Sequence, residues 1–306
     1  ERSPVIFITG SSSLKRQGSG GFKEIDDVSI AAPLTKYSAS ITDGNRIREF
    51  VDKAYRIATN GYPGAVHLSV PVDIMFSSFS EVAGLEERPF SQKIKTIAKA
   101  WPDPTQLNEV LNFASEAKKP IIIGGHGVWW SFAEKKLEEV GNILNIPIFN
   151  IPYHQKLLSE EAESYMGLAD IHQYPPSKFA LEESDLVLMI GGRLDNQMNF
   201  GNPPLFPNST KLICINGSHE EVEFNRAADF NLLSDPKAFL DLLINLKKSN
   251  KWNLSRKWFD INKAKRAEWV NTSLNNLQKT SKEKEFEGDK IHPLQLALDV
   301  QKVMND

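Results

Sequence analysis

The chain has 306 residues, 41% hydrophobic and 25% charged, with a formal charge of −3. This composition excludes a disordered or collagen-like chain and provides no overall basic field for nucleic acid. No apolar run approaches the roughly 18 residues of a membrane span, and the single cysteine excludes an internal disulfide framework. At about 150 residues per domain, the length predicts two domains. Cys214, inside KLICIN, reads as a buried, inert thiol and suits a reducing, cytoplasmic compartment.

In chain order, PVIFITG (4–10) reads as a strand, followed by a Ser/Gly-rich loop to Gly21. Phe22, Ile25 and Val28 are spaced for one face of a helix over 22–32, ended by Pro33. TKYSASI is a modest strand. Thr42-Asp43 offers an N-cap to a helix whose stripe is Ile47, Phe50, Val51, Ala54, Ile57 and Ala58, and Gly61 closes it. AVHLSV (65–70) is a strand stopped by Pro71. From 72 to 103 the rhythm breaks into a polar, Pro-bearing connection with no strand pattern.

The pattern then restarts. It predicts a helix over 104–117, a strand PIIIGGHG (120–127), a helix FAEKKLEEVGNILN and a short strand IPIFNIP. Residues 153–176 are irregular, and 177–183 read as a helix. DLVLMIGG (185–192), KLICING (211–217) and DFNLLS (229–234) are strands, and PKAFLDLLINLKK is a helix begun at Pro236. Five strands, apolar on both faces with helices between them, describe a doubly wound parallel sheet. Residues 251–290 carry ten Lys/Arg against six Asp/Glu, with Trp252, Trp258, Ile261 and Trp269 at rough helical spacing. This is read as a solvated connecting helix whose tryptophans lie on a neighbouring domain.

Ligands of an open parallel sheet bind beyond the carboxyl ends of its strands. Three such ends are glycine-rich: Gly124-Gly125-His126-Gly127, Ile190-Gly191-Gly192-Arg193 and Ile215-Asn216-Gly217-Ser218. Glycine lets backbone N–H groups approach a phosphate closely, and Arg193 is suited to pair with one. Equally, the same glycines serve as tight strand-to-helix turns, and neither GxGxxG nor GxxxxGK[ST] occurs. Asn216 ends its strand where a ribose-gripping site favours Asp or Glu. The six histidines lack HxxH or HExxH spacing, so no metal site is expected from them.

Three groups of residues then fall in one order and spacing: Gly20-Gly21-Phe22-Lys23-Glu24-Ile25-Asp26, Pro33-Leu34-Thr35-Lys36, and Gly61-Tyr62-Pro63-Gly64-Ala65-Val66-His67-Leu68-Ser69-Val70-Pro71-Val72-Asp73. Together they resemble the second half of the pyrimidine-binding domain of thiamine-diphosphate enzymes of the acetolactate synthase type. Lys118-Lys119-Pro120 leading into IIIGGHG, and Asp185–Arg193, resemble that family's central domain. Ile291-His292-Pro293-Leu294 resembles the opening helix of its diphosphate-binding domain.

The resemblance implies an α/β chain built of a partial parallel-sheet pyrimidine-binding domain (1–80), a linker (81–103), a doubly wound, Rossmann-like central domain of the DHS type (104–250), a helical connection (251–290) and the start of the diphosphate-binding domain (291–306). It implies a thiamine-diphosphate- and Mg²⁺-dependent ligase or lyase acting on a small-molecule 2-oxo acid, in a homodimer or homotetramer. The activating glutamate and the Gly-Asp-Gly…Asn metal anchor are expected outside these 306 residues, leaving the chain alone inactive. By position, Phe22, Lys23 and Lys36 match residues bordering the substrate channel. Gly124, Gly125, His126, Gly191, Gly192, Arg193 and Asn216 match the edge where family members hold FAD, ADP or a CoA adenine. Lys23 stands where acetolactate synthases place Gln, and a cation there suits an acidic or acyl-CoA substrate. A 2-hydroxyacyl-CoA lyase or oxalyl-CoA decarboxylase is therefore the alternative within the class. A noncatalytic nucleotide-binding or assembly module is the alternative outside it.

Overall fold

A computed structural model describes residues 3–22, 24–61, 63–78, 99–152, 156–222, 225–248, 252, 254–283 and 293–305. Both of its sheets are parallel throughout, so the chain is an α/β protein. The first sheet has the order β1-β3-β2, from β1 (Ile6–Ser11), β2 (Ser38–Ser40) and β3 (Val66–Pro71). Between its strands run α1 (Asp27–Ala31) and α2 (Ile47–Thr59). The α2 stripe buries Ala54 and Ala58 against Val66 and Leu68 of β3. Asp43, expected as a cap, accepts from the Asn45 amide at 3.0 Å and starts the short turn that leads into α2. A single turn, α3 (Val72–Met75), follows β3 in the stretch read as irregular.

The second sheet has the order β6-β5-β4-β7-β8-β9. Its strands are β4 (Pro120–Gly124), β5 (Ile148–Asn150), β6 (Tyr165–Leu168), β7 (Leu186–Ile190), β8 (Lys211–Asn216) and β9 (Phe230–Leu233). Around it lie α4 (Pro104–Ser115), α5 (His126–Trp130), α6 (Glu134–Leu144), α7 (Pro175–Glu183) and α8 (Pro236–Lys248). The chain winds outward from β4 to β6, returns to β7 beside β4, and winds outward again to β9. Successive side chains alternate between two cores, as a strand's period of two requires. Ile122, Leu188, Ile190 and Ile213 enter one core, and Ile121, Ile123, Met189 and Cys214 the other. Helices cover both faces, which is why these strands read as unbroken apolar runs.

The sheet has six strands where the sequence pattern counts five. β6 hides in the irregular stretch because it is four residues long, contains Gly167 at φ +108° and pairs with β5 through a register shift. The helix expected over 22–32 shortens to α1, capped by Asp26, whose carboxylate accepts from the Ser29 amide at 3.0 Å. The strand over 120–127 stops at Gly124 because α5 begins at His126.

The basic segment forms α9 (Arg256–Glu283), and α10 (Pro293–Asn305) follows. Trp258 is buried against the central sheet and donates its indole N–H to the Pro120 carbonyl at 3.0 Å. Trp269 meets Tyr174 edge-on at 4.6 Å between ring centroids. The cations of α9 find carboxylates in the irregular stretch. Glu163 accepts from Lys263 at 2.9 Å and pairs with Arg256, while Arg266 pairs with Glu160 at 2.7 Å. Of the expected linker 81–103, residues 81–98 lie outside the described residues, as do 284–290 of the helical connection and Ile291-His292.

The Lys263 and Arg256 contacts hold the Glu163 carboxyl below the usual glutamate range. A depressed folded-state pKa contributes stability above the unfolded-state value, and that contribution is lost as pH falls through the folded value. Glu163→Gln should therefore lower the thermal midpoint at pH 6, and the gap to wild type should close as pH approaches 3. A pH-independent gap would show that these pairs do not hold α9 electrostatically.

Candidate functional site at the reversal of the central sheet

Strand order reverses between β4 and β7, and there the two carboxyl ends lock together. The Gly125 amide donates to the Ile190 carbonyl at 2.9 Å, and the Gly127 amide donates to the Gly191 carbonyl at 2.8 Å. A Cβ on Gly125 would stand 2.4 Å from the Gly192 Cα, and one on Gly127 would stand 2.7 Å from the Gly191 Cα. Gly191 is itself left-handed at φ +64°, and an added Cβ there would lie 2.7 Å from the Val128 amide. On Gly124 it would strike Leu157 at 2.8 Å, and on Gly192 it would strike Ile151 at 2.3 Å. The space these five glycines leave is filled by protein, so their smallness serves the closure of two loops. At the neighbouring β8 end, Gly217 is exposed and an added Cβ there would meet nothing within 4 Å.

The polar side chains at this edge are also engaged. Asn216 is buried at the end of β8 and donates from Nδ2 to the Gly192 carbonyl at 3.3 Å. Arg193 is half-buried and lies 3.6 Å from the buried carboxylate of Glu221, with which a phosphate would have to share it. His126 stacks on Trp130 at 5.7 Å between centroids and meets Trp129 edge-on at 5.4 Å. The structure thus brings Gly124, Gly125, His126, Gly191, Gly192, Arg193 and Asn216 to one edge, adding Trp129, Trp130 and Glu221 as neighbours.

The first sheet supplies the other expected site residues. Phe22 is 89% exposed. Lys23 lies outside the described residues. The Lys36 ammonium donates to the Ile57 carbonyl at 2.7 Å and the Asn60 carbonyl at 2.9 Å, closing the end of α2. Burial pushes its pKa below the usual lysine range, opposed by the negative charge of Glu220 in the turn after β8. Among the described residues no group of three His, Cys, Asp or Glu side chains could hold a metal ion.

One structural residue at this edge escaped sequence reasoning. Arg226 donates to the carbonyls of Gly201, Phe206, Pro207 and Thr210 at 2.9–3.1 Å and lies over the Phe206 ring, pinning the β7–β8 connection. Its acceptors are 16–25 residues away, so no local pattern marks it.

The family model described as "Thiamine pyrophosphate enzyme, central domain" matches residues 107–243, which span this sheet almost from end to end. Relatives of the chain extend beyond the central domain. A probable acetolactate synthase large subunit of Methanococcus aeolicus is 27% identical over 317 residues, covering 100% of this chain and 50% of that protein. A 2-hydroxyacyl-CoA lyase of Arabidopsis thaliana is 26% identical, covering 81% of this chain and 44% of that protein. The chain spans about half the length of the curated relatives it matches. In fold, it resembles the crystal structure of benzoylformate decarboxylase from Polynucleobacter necessarius, with a TM-score of 0.65 at 20% identity over 83% of this chain and 47% of the other.

The interlocked glycines predict a sharp asymmetry within the central domain. Gly125→Ala should cost about 2 kcal/mol or more, because its new Cβ meets backbone that cannot step aside. Gly217→Ala should change stability by less than about 0.5 kcal/mol. Equal effects in denaturant titrations would refute the interlock.

Proposed function

We propose that this chain is part of a thiamine-diphosphate-dependent enzyme that makes or breaks a C–C bond beside the carbonyl of a 2-oxo acid, in the manner of acetolactate synthase. The observation that carries this reading is the central-domain match, preceded in order by the Gly-Gly-Phe-Lys-Glu, Pro-Leu-Thr-Lys and Gly-Tyr-Pro-Gly motifs. Relatives named acetolactate synthase large subunit support it over the whole chain. When bound, the cofactor supplies a thiazolium that acts as an electron sink for a carbanion.

This chain's part is to shape the surroundings. Phe22 offers an apolar wall, and Lys23 a cation for the carboxylate of a 2-oxo acid. Lys36 holds the end of α2. The described residues contain no set for Mg²⁺, so the metal would be held elsewhere. A nucleotide such as FAD, ADP or the adenine of CoA would not lie in the glycine interlock. The open ground is around Gly217, with Asn216, Arg193 and the His126–tryptophan cluster nearby. Assembly into a homodimer or homotetramer and a cytoplasmic location complete the reading. The second is supported by the lone buried Cys214, and no described helix is long and apolar enough to cross a membrane.

Lys23 and the lyase relative favour acyl-CoA cleavage as the second reading. The complete open reading frame containing this chain should convert pyruvate to acetolactate when given thiamine diphosphate and Mg²⁺. Acyl-CoA cleavage without acetolactate formation would favour the second reading, and neither activity would sink both. Thermal shift separates the nucleotides. A ligand at 100 times its Kd should add about 2.7 kcal/mol, and stabilisation by CoA but not FAD would count against the acetolactate reading.

A further inference from the structure

The Ser/Gly-rich loop between β1 and α1 presents Phe22, yet residues 15–22 are all exposed. Burial therefore contributes little to their order, and hydrogen bonds supply it. Some lie within the loop, such as the Arg16 amide to the Ser13 carbonyl at 3.0 Å and the Ser19 amide to the Arg16 carbonyl at 3.1 Å, and two carboxylates add others, one at each end of the loop.

At the start, the parallel register of β1 and β3 pairs Ser11 with Pro71, so two residues further on Ser13 and Asp73 arrive side by side. The Ser13 hydroxyl donates to Asp73 Oδ2 at 2.9 Å, and the Leu14 amide donates to Asp73 Oδ1 at 3.2 Å. At the far end, Gly18 and Gly20 adopt φ of +84° and +71°, and the chain brings the Gly18 and Gly21 amides to one carboxylate, that of Glu24. It accepts from the Gly21 amide at 2.7 Å and from the Gly18 amide.

We propose that Glu24 and Asp73 are positioning residues, a two-carboxylate clamp that holds the loop presenting Phe22. Its bearing on substrate rests on the reading above that Phe22 and Lys23 border the substrate channel; the clamp itself does not. The Gly18 and Gly21 amides hold the Glu24 carboxyl below its usual range. Burial raises that of Asp73, but the Ser13 hydroxyl and the Leu14 and Lys15 amides outweigh it and leave it lowered. Both carboxylates are thus ionised acceptors at neutral pH, which is what a clamp of donated N–H and O–H groups requires.

Amide NMR of the intact chain and tryptic cleavage after Lys15 and Arg16 test the clamp. In wild type, the Gly18 and Gly21 amide shifts should follow a carboxyl titrating below the usual glutamate range. That response should vanish in Glu24→Gln while the Leu14 response persists, and the reverse should hold in Asp73→Asn. Each variant should be cleaved at least tenfold faster than wild type at pH 8. Cleavage within twofold of wild type, or Gly18 and Gly21 titrations that survive Glu24→Gln, would overturn the clamp. The wild-type titration needs no variant, so misfolding of a mutant cannot hide the answer. In the complete protein, the positioning role predicts a raised KM with kcat little changed in Glu24→Gln. Unchanged kinetics beside rapid cleavage would overturn that role. A wild-type protein without either activity would instead overturn the proposed function, with the clamp still decided by cleavage.

Discussion

The central sheet depends on the close approach of two strand ends where its winding reverses. A parallel sheet that grows in both directions from one strand must send two chains away from adjacent carboxyl ends. Here the chains leave by interlocking, with the Gly125 and Gly127 amides donating to Ile190 and Gly191. Backbone sits on backbone, and no side chain fits between them. Asn216 extends the lock by bonding the Gly192 carbonyl from the next strand. The edge where a doubly wound sheet usually receives its ligand is therefore closely packed. What remains open lies one strand further along, at Gly217.

Around this lock, short acidic side chains do much of the local ordering by accepting from backbone amides. Asp185 takes the Lys118 and Lys119 amides at 2.7 and 2.9 Å and starts β4 beside β7. Asp103 caps α4, and Asp235 caps α8 while also accepting from the Ser131 hydroxyl. Asp73 and Glu24 repeat the device on the loop before α1. Each aligns an anion with N–H groups that would otherwise face water without a partner in the fold. These acidic side chains thus have a structural use, and the basic residues of α9 answer Glu160 and Glu163.

Much of the central domain was legible because its strands are buried on both faces, so β4, β7 and β8 stand out as apolar runs. β6 was not, since four residues with a left-handed glycine carry no period. The candidate site was half legible. Glycines at strand ends mark a close approach, but composition cannot say whether a phosphate or another backbone makes it. In this fold, another backbone does. Lys36 was visible as part of a motif, yet its hydrogen bonds to the end of α2 depend on carbonyls 21 and 24 residues away.

The amino-acid sequence by itself determined the α/β class, the helices with their proline and aspartate starts, and the resemblance carried by ordered motifs. These rest on local periodicity and on residue types in fixed spacing, which survive without coordinates. Only the tertiary structure decided what the glycines are for and which groups Asp73, Glu221 and Arg226 engage. Those contacts are set by strand register and loop crossing, which bring together atoms that no local window of sequence can pair.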